Sequence, residues 1–331
     1  MGSRRIFLLG ATGTIGQATA AALTARGHEV VALVRPASAK QFRTPSGLDR
    51  LRALPGLTLR EGDPLNAVSL RQEGLCGERF DTWVSCLASR TGAPQDAWAV
   101  DHAGHVQALQ ACGEAGVRQV VLLSALCVQK PQLAFQRAKL AFEAALIESG
   151  LNYCIVRPTA FFKSLSGQVG RLRRGRPFLL FGNGELTACK PIADEDLGEF
   201  MADCVEDSSR HQCILPIGGP GPALTPRQQG LLLFEALQME PRFKQVPLSV
   251  MDTVIGVLGV AGGIWPWAAR KAELARIGRY YATESMLVWN AQQQRYCAED
   301  TPEYGRRTLV EHYRALARGQ VCDQRGEHAV F

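Results

Sequence analysis

Gly10, Gly13 and Gly16 stand at three-residue spacing in the stretch IFLLGATGTIG, which runs from Ile6 to Gly16. A short apolar run precedes them and a helix-compatible stretch follows. Glycines in such a turn let the backbone approach a pyrophosphate, and the helix start offers unpaired N–H groups and a positive dipole end. The pattern has the context that gives it meaning: a strand before, a helix after, and a second strand, Glu29–Val34, about twenty residues on. Thr12, Thr14 and Ile15 complete the expected cradle. Where that second strand ends, an acid would bond a ribose 2′-hydroxyl, but the chain has Arg35. A guanidinium, charged and fork-shaped, suits a 2′-phosphate instead, so the expected cofactor is NADPH.

The elements that position these residues alternate. Apolar, often β-branched runs at Arg5–Leu9, Glu29–Val34, Leu57–Arg60, Thr82–Leu87, Gln119–Ser124, Tyr153–Val156 and Cys213–Ile217 read as strands covered on both faces. Helical stretches separate them at Ile15–Arg26, Val68–Gln72, Trp98–Ala115 and Phe135–Glu148. Gly27, Gly116 and Gly150 follow helices, where a left-handed cap is expected. This is an α/β, doubly wound parallel sheet of the Rossmann type. The chain beyond Thr225 turns mainly helical. The expected division is residues 1–224 for cofactor binding, with a substrate-contacting insertion at about 160–192, and residues 225–331 for the substrate.

Ligands of such sheets bind at the carboxyl ends of the strands. The loops there contain Leu87, Ala88 and Arg90; Ser124 and Lys130; and Arg157, Pro158, Phe161, Phe162 and Lys163. Their small, basic and aromatic residues suit a pocket for a nicotinamide and a flat, acidic substrate.

Composition narrows the class. With 331 residues, 46% hydrophobic and 21% charged, and a net charge of +6, the chain reads as a globular protein with a substantial core. The basic runs Arg171–Arg176 and Arg270–Arg279 read as solvated faces, because a nucleic-acid groove would interleave aromatics with a larger positive excess. The ten cysteines show no C-x-x-C pair and no zinc spacing, so they read as reduced thiols, and no metal is expected. His102 and His105 form H-x-x-H with no third ligand nearby and read as surface or interface histidines. The first strand begins within a few residues of Met1, so no targeting peptide is expected. The apolar stretch Val254–Ala269 is short and broken by glycines and Pro266, which argues against a membrane crossing. Core packing is its default reading, and a substrate lid or a membrane-contacting segment the alternative.

The order of elements, Asp63 after the third strand and Ser124 at the end of the fifth resemble the short-chain dehydrogenase/reductase superfamily, whose signature is Tyr-x-x-x-Lys on the next helix. Here that stretch is Phe135-Gln136-Arg137-Ala138-Lys139. The lysine and spacing remain, but the phenolic proton donor that a carbonyl substrate needs is gone. This points to the atypical branch, with its double-bond reductases and non-catalytic cofactor binders. Within that branch the chain resembles the NADPH-dependent divinyl chlorophyllide 8-vinyl-reductase family. The resembling segments include Ser85–Arg90, Cys127–Pro131, Phe135–Glu143, Arg157–Gln168, Leu186–Ile192, Leu215–Pro226 and Ala275–Leu287. The resemblance implies reduction of the 8-vinyl group of a divinyl chlorophyllide, or a related Mg-tetrapyrrole, to ethyl. It also implies that Asp63, Leu87, Ala88, Ser124, Lys139 and Pro158 join the glycine loop in holding NADPH, with Lys139 as the inherited catalytic position. Arg90, Phe161 and Phe162 are expected against the macrocycle, and Lys130, Arg157, Lys163 and Lys190 compete to pair its propionate. The competing reading is an NADPH-binding redox sensor or assembly protein without turnover. The expected location is the cytoplasm of a bacterial phototroph, with possible contact to photosynthetic membranes.

Overall fold

The computed structural model describes residues 2–36 and 47–321. Strands β1 (Arg5–Leu9), β2 (Glu29–Val34), β3 (Leu57–Glu61), β4 (Thr82–Ser85), β5 (Gln119–Leu123), β6 (Asn152–Pro158) and β8 (Cys213–Ile217) form one seven-stranded sheet. Its order is β3-β2-β1-β4-β5-β6-β8, and every neighbouring pair is parallel. The order reverses direction between β1 and β4, the switch point where such sheets open a crevice. Leu9 is in register with Ser85 there, so Gly10 lies beside Cys86. The strands fall where the apolar runs place them. The glycines expected as helix caps, Gly27, Gly116 and Gly150, have φ of 80°, 83° and 73°.

Both faces of the sheet are covered. Helix α1 (Thr14–Ala25) packs on one face together with a later helix rich in buried residues, and Leu8, Leu23, Val121, Met201 and Val205 share that core. On the other face lie α2 (His105–Glu114), entered through a wide helical turn at Trp98–Gly104, and α3 (Ala134–Glu148). Phe7, Trp83, Phe142 and Leu146 fill that second core. The later helix of the first face, α4 (Asp194–Glu206), begins with three acidic residues against its own positive dipole end. Asp196 among them is buried and accepts the backbone N–H groups of Arg306 and Arg307 at 3.0 Å, and it pairs with the Arg307 guanidinium.

A third core cuts across the expected division at residue 224. Phe162, Val169, Leu172 and Leu180 pack with Leu233, Phe234, Leu309 and Tyr313. The last four belong to α5 (Pro226–Ala236) and to the final helix, Leu309–Ala317. Short β7 (Phe178–Phe181) pairs in parallel with β9 (Phe243–Val246), and β10 (Val288–Asn290) forms a hairpin with β11 (Arg295–Cys297). The inserted segment therefore folds onto the C-terminal part. Two antiparallel-packed helices, α6 (Leu248–Gly262) and α7 (Pro266–Thr283), complete the chain's second half before the final helix, α8.

Two expectations change. The apolar stretch does not pack into a core: Met251 alone is buried in α6, and Val257, Val260 and Ile264 are 65%, 82% and 74% exposed. Among the described residues its main helical partner is α7, too little surface to cover all sides. Among the described residues, no helix is long and apolar enough to cross a membrane. His105 is likewise not at the surface but buried between Ser85 and Phe142.

Candidate functional site

Each glycine of the loop has its own physical reason. Gly10 has φ +80°, and a Cβ there would lie 2.4 Å from the Cys86 carbonyl carbon. A Cβ on Gly16 would meet the Gly10 carbonyl oxygen at 2.1 Å, so α1 could not pack so close to β1. Gly13 meets only that same oxygen, at 3.4 Å, and is otherwise open. Gly13 is also the N-cap of α1, which has no side-chain cap and no acidic residue in its first turn. A bare helix start beside an open glycine is a cradle for an anion. Lys163 reaches it from the loop after β6, donating from Nζ to Thr14 Oγ1 at 2.8 Å. This puts the lysine at the start of α1. Asp194 stands close to Lys163; burial, then Glu195, push its carboxyl up to about 7 against the pull of the ammonium.

A cleft of about 380 Å³ opens beyond the strand ends, lined by Arg35, Leu65, Leu87, Ala88, Arg90 and Arg270 among others. The clustered guanidiniums suit a phosphate monoester. Arg270 comes from α7 and was not singled out by sequence; only the basic run containing it was a signal. Helix α7 also closes over the neighbouring loop, since a Cβ on Gly92 would meet Ile277 Cδ1 at 2.8 Å and Phe135 Cδ1 at 3.6 Å.

Lys139 lies on α3, its side chain only 12% exposed, with Nζ 3.0 Å from Oδ1 of the fully buried Asp101. Asp101 lies on the helical turn facing α3 and His105 at the start of α2, and both line a small pocket with Ser124, Lys139 and Phe142. Asp101 Oδ2 has no hydrogen-bond partner among the described residues. His105 Nδ1 donates to the Val100 carbonyl at 2.7 Å, so in the neutral ring Nε2 accepts from Ser85 Oγ at 2.9 Å. Burial holds this ring at about 4, well below the ordinary imidazole value.

Phe135, at the tyrosine position of the superfamily, packs in an apolar cluster with Cys127, Ile277, Tyr280, Tyr281 and Met286. Tyr281 donates to Cys127 Sγ at 3.8 Å, so α7 brings a phenol near the missing one. Burial raises its pKa well above the ordinary phenol value.

The expected substrate residues do not converge. Phe162 is buried in the third core, whereas Phe161 is half-buried at the end of the β6 loop. Arg157 pairs with buried Glu143, which also accepts the Ser124 hydroxyl at 2.5 Å. Lys190 is buried and pairs with Glu303 at 2.6 Å. Lys130 pairs with Glu284 at 3.1 Å and lies 3.9 Å above the Trp289 ring. Arg157, Lys190 and Lys130 thus spend their charge within the protein. Only Arg90 of the expected basic set lines the cleft. Asp63 closes its own turn, accepting from the Leu65 N–H at 3.0 Å, and Pro158 ends β6 in register with Ile217. No group of metal-binding side chains occurs among the described residues, and the described cysteines are all free.

Residues 10–208 match the NAD(P)H-binding family, the span of the glycine loop and sheet. Over nearly the whole chain the similarity is narrower. The chloroplastic divinyl chlorophyllide a 8-vinyl-reductase of Oryza sativa subsp. indica is 45% identical over 98% of this chain and 82% of its own. The chain belongs to this reductase family. The Arabidopsis thaliana 8-vinyl-reductase is 43% identical over 96% of this chain and 78% of its own. The fold of this chain also matches an Escherichia coli NADPH-dependent quinone oxidoreductase complexed with NADPH, at a TM-score of 0.65 and 17% identity, over 94% of this chain and 99% of that one. The four plant 8-vinyl-reductases that this chain resembles at 43–45% identity are chloroplastic, which overturns the expected location in a bacterial cytoplasm.

Proposed function

We propose that this chain reduces the 8-vinyl group of a divinyl chlorophyllide to ethyl, with NADPH as reductant. The 45% identity to a reductase of that name, over 98% of the chain, carries the reading. The bare start of α1 and open Gly13 receive the cofactor's pyrophosphate, with Lys163 as counter-charge. Arg35, flanked by Arg90 and Arg270, takes the 2′-phosphate. NADPH, when bound, supplies a hydride. The conjugated vinyl group accepts it because the macrocycle spreads the resulting charge, and one proton completes the ethyl group.

Lys139 is the proton source in this reading. Asp101 holds its ammonium, and the phenol that would stand one turn earlier is replaced by Phe135. The low exposure of the Lys139 side chain, 12%, favours transfer over exchange with solvent. Incubation with NADPH and divinyl chlorophyllide yields the monovinyl product by chromatography; no monovinyl product from a folded, NADPH-binding protein overturns the assignment. Lys139→Met in an Asp101→Asn background loses turnover by about 10²-fold or more, while Tyr281→Phe retains it. The reverse pattern moves the proton to the α7 phenol.

A further inference from the structure

The α6–α7 hairpin exposes more apolar surface than its place in the fold explains. Val257, Val260 and Ile264 stand out to solvent, and Trp265 and Trp267 are about half exposed where the two helices join (52% and 49%). These residues continue one another around the tip of the hairpin. The charges beside them are not balanced. The two carboxylates of the hairpin are already engaged, Asp252 with Arg279 and Glu273 with Arg276. Arg270 and Lys271 are left as a positive surplus next to the tryptophans, with Lys271 Nζ 5.4 Å from the Trp267 ring.

We propose that the tip of the α6–α7 hairpin docks on an anionic lipid surface, with Val257, Val260 and Ile264 entering the headgroup–acyl boundary. Three observations select lipid over another occupant. Tryptophans between an apolar tip and basic residues match the layering of a membrane interface, where aromatic rings sit at the headgroups and basic residues meet anionic lipid. Two-fold contact with a second copy would instead bring Arg270 and Lys271 against their own equivalents and cost like-charge repulsion. The helices are also too short and mixed to cross a bilayer, so the contact lies in the plane of the surface. Docking has a geometric consequence. Arg270 belongs both to the hairpin and to the lining of the cofactor cleft, so the cleft faces the lipid surface closely.

Full-length protein without substrate, floated with vesicles, tests this separately from the reductase assignment. The protein should float with vesicles of phosphatidylcholine mixed with phosphatidylglycerol, stay in solution with phosphatidylcholine alone, and be released by high salt. Tryptophan emission should shift to the blue on binding. Lys271→Gln should weaken binding roughly fivefold, the effect of one basic residue at such a surface. Val260→Glu with Ile264→Glu should abolish binding and leave NADPH affinity unchanged, since both side chains are exposed and outside the cleft. No flotation with anionic vesicles, equal flotation of the double variant, or equal binding to both vesicle types overturns the proposal. So does a dimer in sedimentation that the double variant dissolves, which would make the occupant a second copy.

Discussion

Helices α1 and α6 are both apolar and glycine-bearing, yet they meet opposite environments. Seven residues of α1 are buried, from Ile15 to Thr24, whereas α6 buries only Met251. The difference lies in what each helix meets. Gly198 of α4 approaches α1 so closely that a Cβ on it would come within 2.6 Å of the Ala18 carbonyl carbon. Two small residues at that crossing let both helices press onto the sheet. Among the described residues helix α6 packs chiefly on α7, and Val254, Val257 and Val260 stay exposed. Hydrophobicity sets the cost of exposing a helix, but small residues at the crossing decide whether anything covers it.

This contrast sets how strongly each region should respond to change. The largest effect is expected at Lys139. Removing its side chain leaves the carboxylate of Asp101 buried and uncompensated, so Lys139→Ala should cost about 3–5 kcal/mol in urea unfolding. Asp101→Asn as a second change should return most of that loss, and a Lys139→Ala protein of unchanged stability would show that the buried pair carries little.

The next effect is one of pH. The His105 ring is neutral in the fold and titrates at about 4, against 6.5 when unfolded. Between those values the unfolded chain binds a proton that the folded one does not. Stability from this residue is therefore full above 6.5 and falls as pH drops toward 4, by about 3 kcal/mol in all. His105→Asn should flatten the slope of stability against pH in that window. An unchanged slope would assign it to other groups.

Arg35→Asp should then move cofactor preference toward NADH by about tenfold or more, as expected for one charge-assisted bond lost and a repulsion gained. Titration calorimetry with both cofactors measures it. A smaller shift would mean that Arg90 and Arg270 hold the phosphate without Arg35. The smallest effect belongs to the bare hairpin: Val260→Ser should change stability by less than about 0.5 kcal/mol in thermal unfolding. A larger loss would show that α6 is covered in solution.

The sheet is legible in sequence because strands covered on both faces must be continuously apolar, and the glycine loop because its spacing serves one backbone geometry. Lys139 is legible for a related reason, since its helix keeps the superfamily spacing. Its partner Asp101 is not, because the pair joins two helices and neither position looks unusual alone. Arg270 escapes in the same way, carried to the cleft by a helix from the far end of the chain. Arg157, Lys190 and Lys130 read as substrate contacts, yet Arg157 pairs with Glu143 on the preceding helix, and Lys190 and Lys130 find acidic partners far along the chain at Glu303 and Glu284. The short strands β7 and β9 to β11 lack the length for a periodic signal. The apolar stretch at 254–269 misleads because composition alone does not say what lies opposite.

The bonds from Asp196 to Arg306 and Arg307 have a consequence for how the protein is made. Helix α4 covers one face of the nucleotide-binding sheet, but the partners of its buried carboxylate are encoded more than a hundred residues later. While the ribosome has released the chain only as far as β8, that carboxylate lacks the N–H groups and the guanidinium that offset its burial. The nucleotide-binding half thus gains its final stability only once synthesis has passed Arg307, and a nascent chain stalled before residue 306 exposes this face longest to chaperones and proteases.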